Sequence, residues 1–195
     1  ELAKGYDVIL EGFRPGVVER LGIGYPAIRS INNRIVYCSI SGYGQDGPYR
    51  DRSGHDINYI ALSGLLAISG EKFKPPTIPP VPIADIGIGG TLSAFAILAA
   101  LIAREKTGIG QYIDVSMADG VISWLCMHMA KFFSKGNPPK RGEYEMGGAS
   151  PCYNVYETLD CKYISIGILE PKFWSNFCKA VGREDLIPKQ FVEGQ

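Results

Sequence analysis

A short apolar run at residues 34–41, RIVYCSIS, constrains the fold of this chain more than any other feature. Its β-branched and aromatic residues indicate a buried strand. Residues 7–11, DVILE, indicate an earlier strand of the same kind. Two short helices are predicted between these strands, at residues 15–21 and 26–31, each with a proline near its start. A strand, a helical connection and a second strand together predict a right-handed crossover and a parallel sheet.

The middle of the chain continues this alternation of strands and helices. Glycine and proline interrupt it at two places, which predict a long loop and an extended connection. In open α/β sheets, ligands bind at the carboxyl ends of the strands, where the long loop begins. In chain order, the predictions are a loop at 41–55, a helix at 56–69, an extended connection at 72–82, a helix at 91–106, a strand at 111–115 and a helix at 117–134.

A segment rich in glycine, proline and charge predicts a domain boundary. We interpret residues 136–151 as a linker, residues 1–135 as part of a large α/β domain and residues 152–195 as the start of a smaller α+β domain. The predicted fold class is α/β, with a parallel, Rossmann-like sheet and flanking helices before the smaller domain. The smaller domain is predicted to contain strands at 153–157 and 162–168 and a helix at 171–181.

The overall composition excludes several classes of partner. Lys and Arg total 20, as do Asp and Glu, so the neutral chain offers no broad basic surface for nucleic acid. The longest apolar run, residues 92–103, is shorter than the roughly 20 residues that a membrane span needs. Five cysteines without CxxC spacing indicate reduced thiols, buried as small apolar residues, in a cytoplasmic protein. The first residue is not Met, and the first strand lacks an earlier partner, so we expect truncation at both ends.

His55 is the first candidate for chemistry. It ends the glycine-rich loop and stands at the start of the predicted helix. Histidine suits proton transfer near neutral pH. A solvated loop histidine without a function explains the same position, and the residue alone does not decide between the two.

Asp85 is the second candidate, because it precedes glycines and a long apolar helix. An N-cap role for Asp85 would explain an aspartate at this place without any catalytic function. Backbone amides of Gly87, Gly89 and Gly90, exposed at a helix start, could hold a developing oxyanion. Glu170 lies just before Pro171 and another predicted helix. Its negative charge would complement the dipole of that helix, and a functional role is the alternative. No cluster in the sequence has metal-ligand spacing, so no metal is expected.

Several segments together resemble the family III CoA-transferase superfamily, also called CaiB/BaiF-like. They are residues 11–25, EGFRPGVVERLGIGY; residues 35–54, IVYCSISGYGQDGPYRDRSG; and residues 110–120, GQYIDVSMADG. The match runs through residues 1 to about 135 without large gaps. Residues 54–64, GHDINYIALSG, and residues 147–174 resemble the α-methylacyl-CoA racemase branch.

The resemblance implies a catalytic pair. In racemases of this family, a histidine and an aspartate are the two proton-transfer groups, and the matching positions here are His55 and Asp85. A glutamate that supports the histidine corresponds to Glu170. Transferases of the superfamily commonly lack the histidine but share the aspartate.

The resemblance also implies a binding site for the CoA part of the substrate, with no other cofactor. Arg20 matches an arginine that meets a CoA phosphate, and Asp56 and Tyr59 match the racemase pattern beside the histidine. We therefore assign Arg20, Asp56 and Tyr59 to CoA binding. Members of the family form interlocked homodimers, so a homodimer is expected. The N-terminal nucleotide-binding segment of the family and most of the smaller domain are absent from this sequence.

Three functions follow as hypotheses. The first is a racemase that interconverts (R)- and (S)-2-methylacyl-CoA by two-base α-proton transfer through an enolate. An apolar cleft would raise the pKa of Asp85 and keep a proton available for return. The second is a family III CoA-transferase with Asp85 as the nucleophile, acting through aspartyl-CoA intermediates. The third is an inactive fragment that acts only as a dimerisation or binding module.

Overall fold

The computed structural model describes residues 1–192. The chain forms two compact units. Unit 1 contains residues 1–66 and 78–129, and the described part of unit 2 contains residues 67–77 and 130–192. The domain limits expected from the sequence stay a prediction.

Unit 1 is organised around a parallel sheet of three strands, as predicted. The strands are β1 (Val8–Glu11), β2 (Val36–Ser41) and β3 (Tyr112–Ser116), in that spatial order. Val8 pairs with Val36, and Tyr37 pairs with Tyr112. Two short helices, α1 (Val17–Arg20) and α2 (Tyr25–Ile31), connect β1 to β2. The central strand is almost fully buried, which explains its apolar composition.

The helix predicted at 56–69 is two helices. They are α3 (Asp56–Leu62) and α4 (Leu65–Ile68). Gly64 separates them with a φ of +90°, a left-handed conformation that ends a helix and favours glycine. The apolar periodicity continues through this break, which is why the pattern predicted one helix.

The helix predicted to start at residue 91 begins earlier. Residues Ile83–Leu92 form a π-helix, and α5 (Ser93–Thr107) continues it directly. Gly108 closes α5 in a left-handed conformation, as predicted. The continuous helix of 25 residues is long and apolar enough to cross a membrane, although core helices of soluble proteins meet the same criteria. The length argument against a membrane span is therefore wrong, and the expected lack of membrane contact stays a prediction.

The helix predicted at 117–134 is also interrupted. After β3 come α6 (Met117–Trp124) and α7 (Cys126–Lys135). Ser116 caps α6, since its hydroxyl accepts a hydrogen bond from the amide of Asp119 at 3.2 Å. The main core of unit 1 joins β2, α3, the π-helix, β3 and α6, and its buried members are Cys38, Tyr59, Ile60, Ala84, Ile88, Val115, Ala118 and Val121.

Unit 2 contains an antiparallel pair of strands and a helix. The strands are β4 (Tyr153–Glu157) and β5 (Tyr163–Gly167), and the helix is α8 (Pro171–Ala180). All three lie where the sequence predicts them. Trp174 is buried on α8, and its indole donates to the carbonyls of Leu186 and Ile187 at 3.1 Å. Aromatic packing and satisfied hydrogen bonds therefore hold the short helical segment after α8.

The five cysteines are free. Cys38, Cys152 and Cys178 are buried, as expected for small apolar residues. Cys126 and Cys161 are exposed, so the expectation of burial is wrong for these two.

Candidate active site

His55 lies at the N-terminus of α3, where the sequence predicts it. It is the N-cap residue, and it is exposed. Its backbone amide donates to the side-chain oxygen of Asn58 at 3.0 Å, and the Asn58 amide donates to the His55 carbonyl at 2.8 Å. These two bonds hold the backbone at the start of α3. The imidazole therefore projects from a backbone that is fixed by local hydrogen bonds.

Asp85 lies in the first turn of the π-helix. The N-cap residue is Pro82, so the interpretation of Asp85 as an N-cap residue is wrong. Ala84 and Ile88, on either side of it, are fully buried in the main core of unit 1, whereas Asp85 itself is exposed. Core packing thus anchors the backbone while the carboxyl reaches solvent. Stretches of π-helix occur frequently at functional sites.

Asp56 connects the two elements that carry His55 and Asp85. One oxygen of its carboxylate, Oδ1, accepts hydrogen bonds from the amides of Ala84 at 2.6 Å and Asp85 at 3.0 Å. The first amides of a helix lack partners within the helix, and a carboxylate satisfies them well. Asp56 therefore caps the π-helix from α3, an assignment that the sequence does not suggest. Its predicted contact with CoA stays a prediction.

The electrostatics of Asp85 link it to both neighbours. The pKa of Asp85 is raised above its ordinary value, chiefly because partial burial removes some of the water around the otherwise exposed carboxyl, and next because of the negative charge of Asp56. The charge of His55 acts in the opposite direction and lowers the pKa. The expected direction of the shift is confirmed. Asp85 and His55 thus lie close enough for their charges to interact.

The glycines after Asp85 serve packing. Gly87, Gly89 and Gly90 all lie inside the π-helix, so the expectation that their amides are exposed at a helix start is wrong. A Cβ atom at Gly87 would approach the ring of Trp124 to 2.3 Å. On the opposing helix α6, a Cβ at Gly120 would lie 2.1 Å from the side chain of Ile88. These glycines allow the π-helix and α6 to approach closely.

Tyr59 lies one turn after His55, with only 6% of its surface exposed. Its hydroxyl donates to the carbonyl of Gly54 at 2.7 Å. Its ring packs so tightly against Gly42 and Gly54 that a Cβ at either position would lie within 2.7 Å of it. Tyr59 therefore positions the loop that ends at His55. Its predicted contact with CoA stays a prediction.

A cavity of about 210 Å³ adjoins this loop within unit 1. Tyr59 and Gly54 line it, together with the beginning of the loop after β1 and residues near both ends of the loop after β2. Because β1 and β2 are parallel neighbours, their carboxyl ends meet at one edge of the sheet. Among the polar side chains of the lining that the sequence analysis did not single out are Arg14, Ser41, Arg50 and Arg52.

Two of the predicted residues belong to other elements. Arg20 is the exposed last residue of α1 and does not line the cavity. Glu170 belongs to unit 2, where it is the N-cap residue of α8 but makes no side-chain capping hydrogen bond. The roles of Arg20 in CoA binding and of Glu170 in supporting His55 stay predictions. Within residues 1–192, no group of three or more His, Cys, Asp or Glu side chains could hold a metal ion.

Comparisons with known proteins identify the family. A sequence profile of CoA-transferase family III matches residues 1–195. The chain belongs to this family. Human alpha-methylacyl-CoA racemase is 38% identical over 192 residues, which cover 97% of this chain and 50% of the racemase. Human succinyl-CoA:glutarate CoA-transferase is 36% identical over 188 residues, which cover 96% of this chain and 42% of the transferase.

A solved structure supports the same assignment. The crystal structure of a CAIB/BAIF family protein from Brucella suis matches with a TM-score of 0.81 and 29% identity, over 99% of this chain and 50% of the other. The chain spans about half the length of the curated relatives that it matches. Members of family III are enzymes that act on acyl-CoA thioesters. The resemblance recognised from the sequence is thereby confirmed at the level of the family.

Proposed function

We propose that the protein is an acyl-CoA racemase that interconverts (R)- and (S)-2-methylacyl-CoA by α-proton transfer between His55 and Asp85. The arrangement of an imidazole and a carboxyl at adjoining helix starts, joined through Asp56, carries this proposal. Similarity to human alpha-methylacyl-CoA racemase supports it. Inversion at one carbon needs two groups that can each accept and donate one proton.

In the proposed reaction, one of the two groups removes the proton from the carbon next to the thioester carbonyl. The C–H electron pair moves into the carbonyl and forms an enolate. The other group then returns a proton to the opposite face, and the carbonyl is restored. A carboxyl with a raised pKa suits this task, because a proton-transfer group works best when its pKa approaches the working pH.

In this proposal, Glu170 orients the imidazole of His55 and stabilises its charged form. Support comes from the matching sequence context alone. Arg20 binds a CoA phosphate, as suits a planar, permanently charged guanidinium. The reaction needs no metal and no cofactor beyond the CoA that the substrate carries. The protein acts as a homodimer in the cytoplasm.

A CoA-transferase is the second candidate, favoured by the exposure of the Asp85 carboxyl and by similarity to a human CoA-transferase. In this mechanism, a carboxylate oxygen of Asp85 attacks the thioester carbonyl, the C–S bond breaks and CoA leaves as its thiolate. The thiolate then attacks the aspartyl carbonyl of the mixed anhydride, which releases the donor acid and leaves Asp85 as an aspartyl-CoA thioester. The carboxylate of the acceptor acid attacks this thioester, forms a second mixed anhydride and releases the CoA thiolate. The thiolate finally attacks the acceptor acyl carbonyl, which gives the new acyl-CoA and restores the free carboxylate of Asp85. His55 has no assigned role in this reaction.

Solvent isotope exchange separates the two candidates. The full-length protein is incubated with a 2-methylacyl-CoA in deuterated water, without any acceptor acid, and deuterium at C2 is followed by mass spectrometry. Racemisation incorporates deuterium under these conditions. Exchange that is absent without an acceptor, together with acyl transfer when an acceptor is added, would establish the transferase and refute the racemase.

A third possibility is that the chain serves only as a dimerisation or binding module. Comparing the affinity of the 195-residue chain for CoA with that of the full-length protein tests this. Absence of CoA binding and of isotope exchange in the full-length protein would favour the module over both enzymes.

A further inference from the structure

The loop of residues 42–54 follows β2, and its first turn is attached to the neighbouring strand β3. The backbone amide of Gln45 donates to Oδ2 of Asp114, on β3, at 2.9 Å. At the start of α6, the amide of Ala118 donates to the carbonyl of Gly42 at 3.0 Å. The carboxylate acceptor makes the first of these bonds stronger than a bond between neutral groups. The beginning of the loop is therefore held by the next strand of the sheet and by the helix that follows it.

Gly44 shows how this turn depends on its backbone conformation. It is buried and has a φ of +85°, in the left-handed region that favours glycine. A Cβ atom at this position would lie 3.4 Å from Cβ of Ser116 and 3.6 Å from Oδ2 of Asp114, which is ordinary contact. The conformation, and not a lack of space, therefore requires glycine here. The same turn presents the next amide, that of Gln45, to Asp114.

Tyr43 connects this turn to the other end of the loop. Its ring packs edge-on against the ring of Tyr59 on α3, with centroids 5.2 Å apart and planes at 83°. It also contacts the ring of Tyr49, in the middle of the loop, at a centroid distance of 5.5 Å. Aromatic pairs in these arrangements are favourable. One side chain at the start of the loop thus contacts both its middle and the helix that follows it.

Tyr59 completes the connection to His55. Its hydroxyl donates to the carbonyl of Gly54, the residue before His55, at 2.7 Å. A Cβ atom at Gly54 would lie 2.7 Å from the ring of Tyr59 and 3.0 Å from the hydroxyl of Tyr43, so both side chains close around this backbone. Energetic coupling between distant positions can travel through such contiguous contacts. Here the contacts run, within unit 1, from Asp114 to the backbone at His55.

We infer that Asp114 and Tyr43 are positioning residues for His55, in a reaction whose identity rests on the proposed function. Asp114 fixes the turn that carries Tyr43. The Tyr43 ring, through its contact with Tyr59, fixes the backbone from which the imidazole projects. Proton transfer is sensitive to such placement, since a shift of about 1 Å can lower a rate about a hundredfold. Asp114 is not among the described residues that line the cavity, so its effect on the reaction passes through other residues.

Replacing Asp114 tests the anchor without changing the loop itself. Asp114→Ala removes the acceptor for the Gln45 amide, whereas Asp114→Asn keeps a side-chain oxygen in its place. Asp46→Ala is the matched control, because Asp46 is an exposed residue next to Gln45 whose negative charge also acts on Asp114. The variants are made in the full-length protein. Isotope exchange at C2 gives kcat and KM, and NMR of the imidazole Cε1–H group, assigned by its loss in His55→Gln, reports on His55 directly.

We expect Asp114→Ala to lower kcat by about tenfold to a hundredfold and to change KM by less than about threefold, because the substrate still binds while the imidazole is displaced. The NMR signal of His55 should shift or broaden. Asp114→Asn should recover most of kcat, and Asp46→Ala should resemble the wild type in both measurements. A normal kcat in Asp114→Ala, or an unchanged NMR signal, would show that Asp114 is only structural, whatever the change in unfolding temperature. Equal losses in Asp46→Ala and Asp114→Ala would attribute the effect to charge and would also refute the inference.

Tyr43 tests how the effect reaches His55. Tyr43→Leu removes the edge-on contact with Tyr59 and should reproduce the loss seen in Asp114→Ala, and the conservative variant Tyr43→Phe should recover most of it. The double variant Tyr43→Leu with Asp114→Ala should be no slower than the slower single variant, because both changes break the same series of contacts. Losses that multiply in the double variant would show that Asp114 acts independently of Tyr43 and would refute this route.

The NMR measurement separates a failure of this inference from a failure of the proposed function. If the wild-type protein exchanges no deuterium, the racemase is refuted, but the His55 signal still shows whether Asp114 and Tyr43 hold the imidazole in place. A His55 signal that is the same in Asp114→Ala, Tyr43→Leu and the wild type would overturn the inference for any reaction at this site.

Discussion

The carboxyl groups whose pKa values are shifted lie in opposite electrostatic environments in the two units. In unit 1, the pKa values of Asp85 and Asp114 are raised, in both cases chiefly because burial removes water from the carboxyl. In unit 2, by contrast, every resolved shift of a carboxyl lowers its pKa. In each case the largest cause is a hydrogen bond from a nearby Lys or Arg side chain. These carboxyls are Glu143, Glu145, Asp160 and Asp185.

This difference indicates where proton chemistry is possible. Exposed ion pairs, such as Glu145 with Lys131 at 3.2 Å, keep a carboxyl ionised and contribute little to stability. A carboxyl with a raised pKa retains its proton at higher pH, at some cost in stability, and such groups are concentrated at functional sites. Asp85 has this property and also lies beside His55, so unit 1 is the better place to look for catalysis.

The sharpest test of this comparison removes the ionisable group from unit 1. We expect Asp85→Asn to lower the rate of isotope exchange by about a hundredfold to ten-thousandfold, the usual contribution of a general acid or base. The rate is measured by mass spectrometry at saturating substrate. Glu145→Gln, a carboxyl removed from an ion pair in unit 2, serves as the control and should leave the rate unchanged. Comparable rates in wild type and Asp85→Asn would contradict the proposed role.

Glu170 tests whether unit 2 contributes a carboxyl to the reaction. We expect Glu170→Gln to reduce exchange by about tenfold, because the proposed function assigns Glu170 to orienting the imidazole of His55. The dependence of kcat on pH should also change, whereas a purely structural role would leave the profile in place. An unaltered rate and profile would confine the reacting groups to unit 1.

Asp56→Asn examines how Asp85 acquires its raised pKa. The charge of Asp56 is the second largest cause of that shift, so its removal lowers the pKa of Asp85. The acid side of the profile of kcat/KM against pH should therefore move to lower pH. The asparagine oxygen can still accept the amide hydrogen bonds of Ala84 and Asp85, so the π-helix should keep its cap. A profile that moves to higher pH, or does not move, would contradict this electrostatic account.

The smallest expected effect is on folding stability, and its sign differs between the units. The folded state binds more protons at Asp85 than the unfolded state does, so stability falls as pH rises through the interval between the ordinary and the raised pKa. Asp85→Asn should remove this loss and raise the free energy of unfolding at pH 7 by less than about 1 kcal/mol, because solvent screens the partly exposed carboxyl.

Glu145 provides the opposite case. The lowered pKa of Glu145 means that its ionised form stabilises the folded protein at pH values above the ordinary pKa of a glutamate. This stability is lost as the pH falls through the lowered pKa. Glu145→Gln should therefore slightly destabilise the protein at pH 7 and have no such effect at strongly acidic pH. Denaturant unfolding of both variants at several pH values measures the two signs. The same sign in both variants would remove the distinction between the units.

Local sequence patterns predicted much of the fold. The β-branched runs that became β1 and β2, the helix start at His55 and the start of α8 at Pro171 all follow from a few adjacent residues. Asp85 was recognised as a candidate from its context, although the sequence indicated the wrong position within its helix. Arg14, Arg50 and Arg52 were not recognised, but the meeting of two loops after neighbouring parallel strands was a signal that could have revealed them.

The sequence by itself determined the strands and their parallel arrangement, because these depend on residue type and short-range periodicity. The family, and the histidine and aspartate that are its candidate acid–base pair, came from the resemblance of several segments to known proteins. Only the tertiary structure decided that residues 83–92 form a π-helix, that Asp56 caps it from 28 positions away, and that Ser41 and the arginines share one cavity. Such features arise from contacts between distant segments. A linear pattern does not specify them, since each contact depends on how closely packed elements approach.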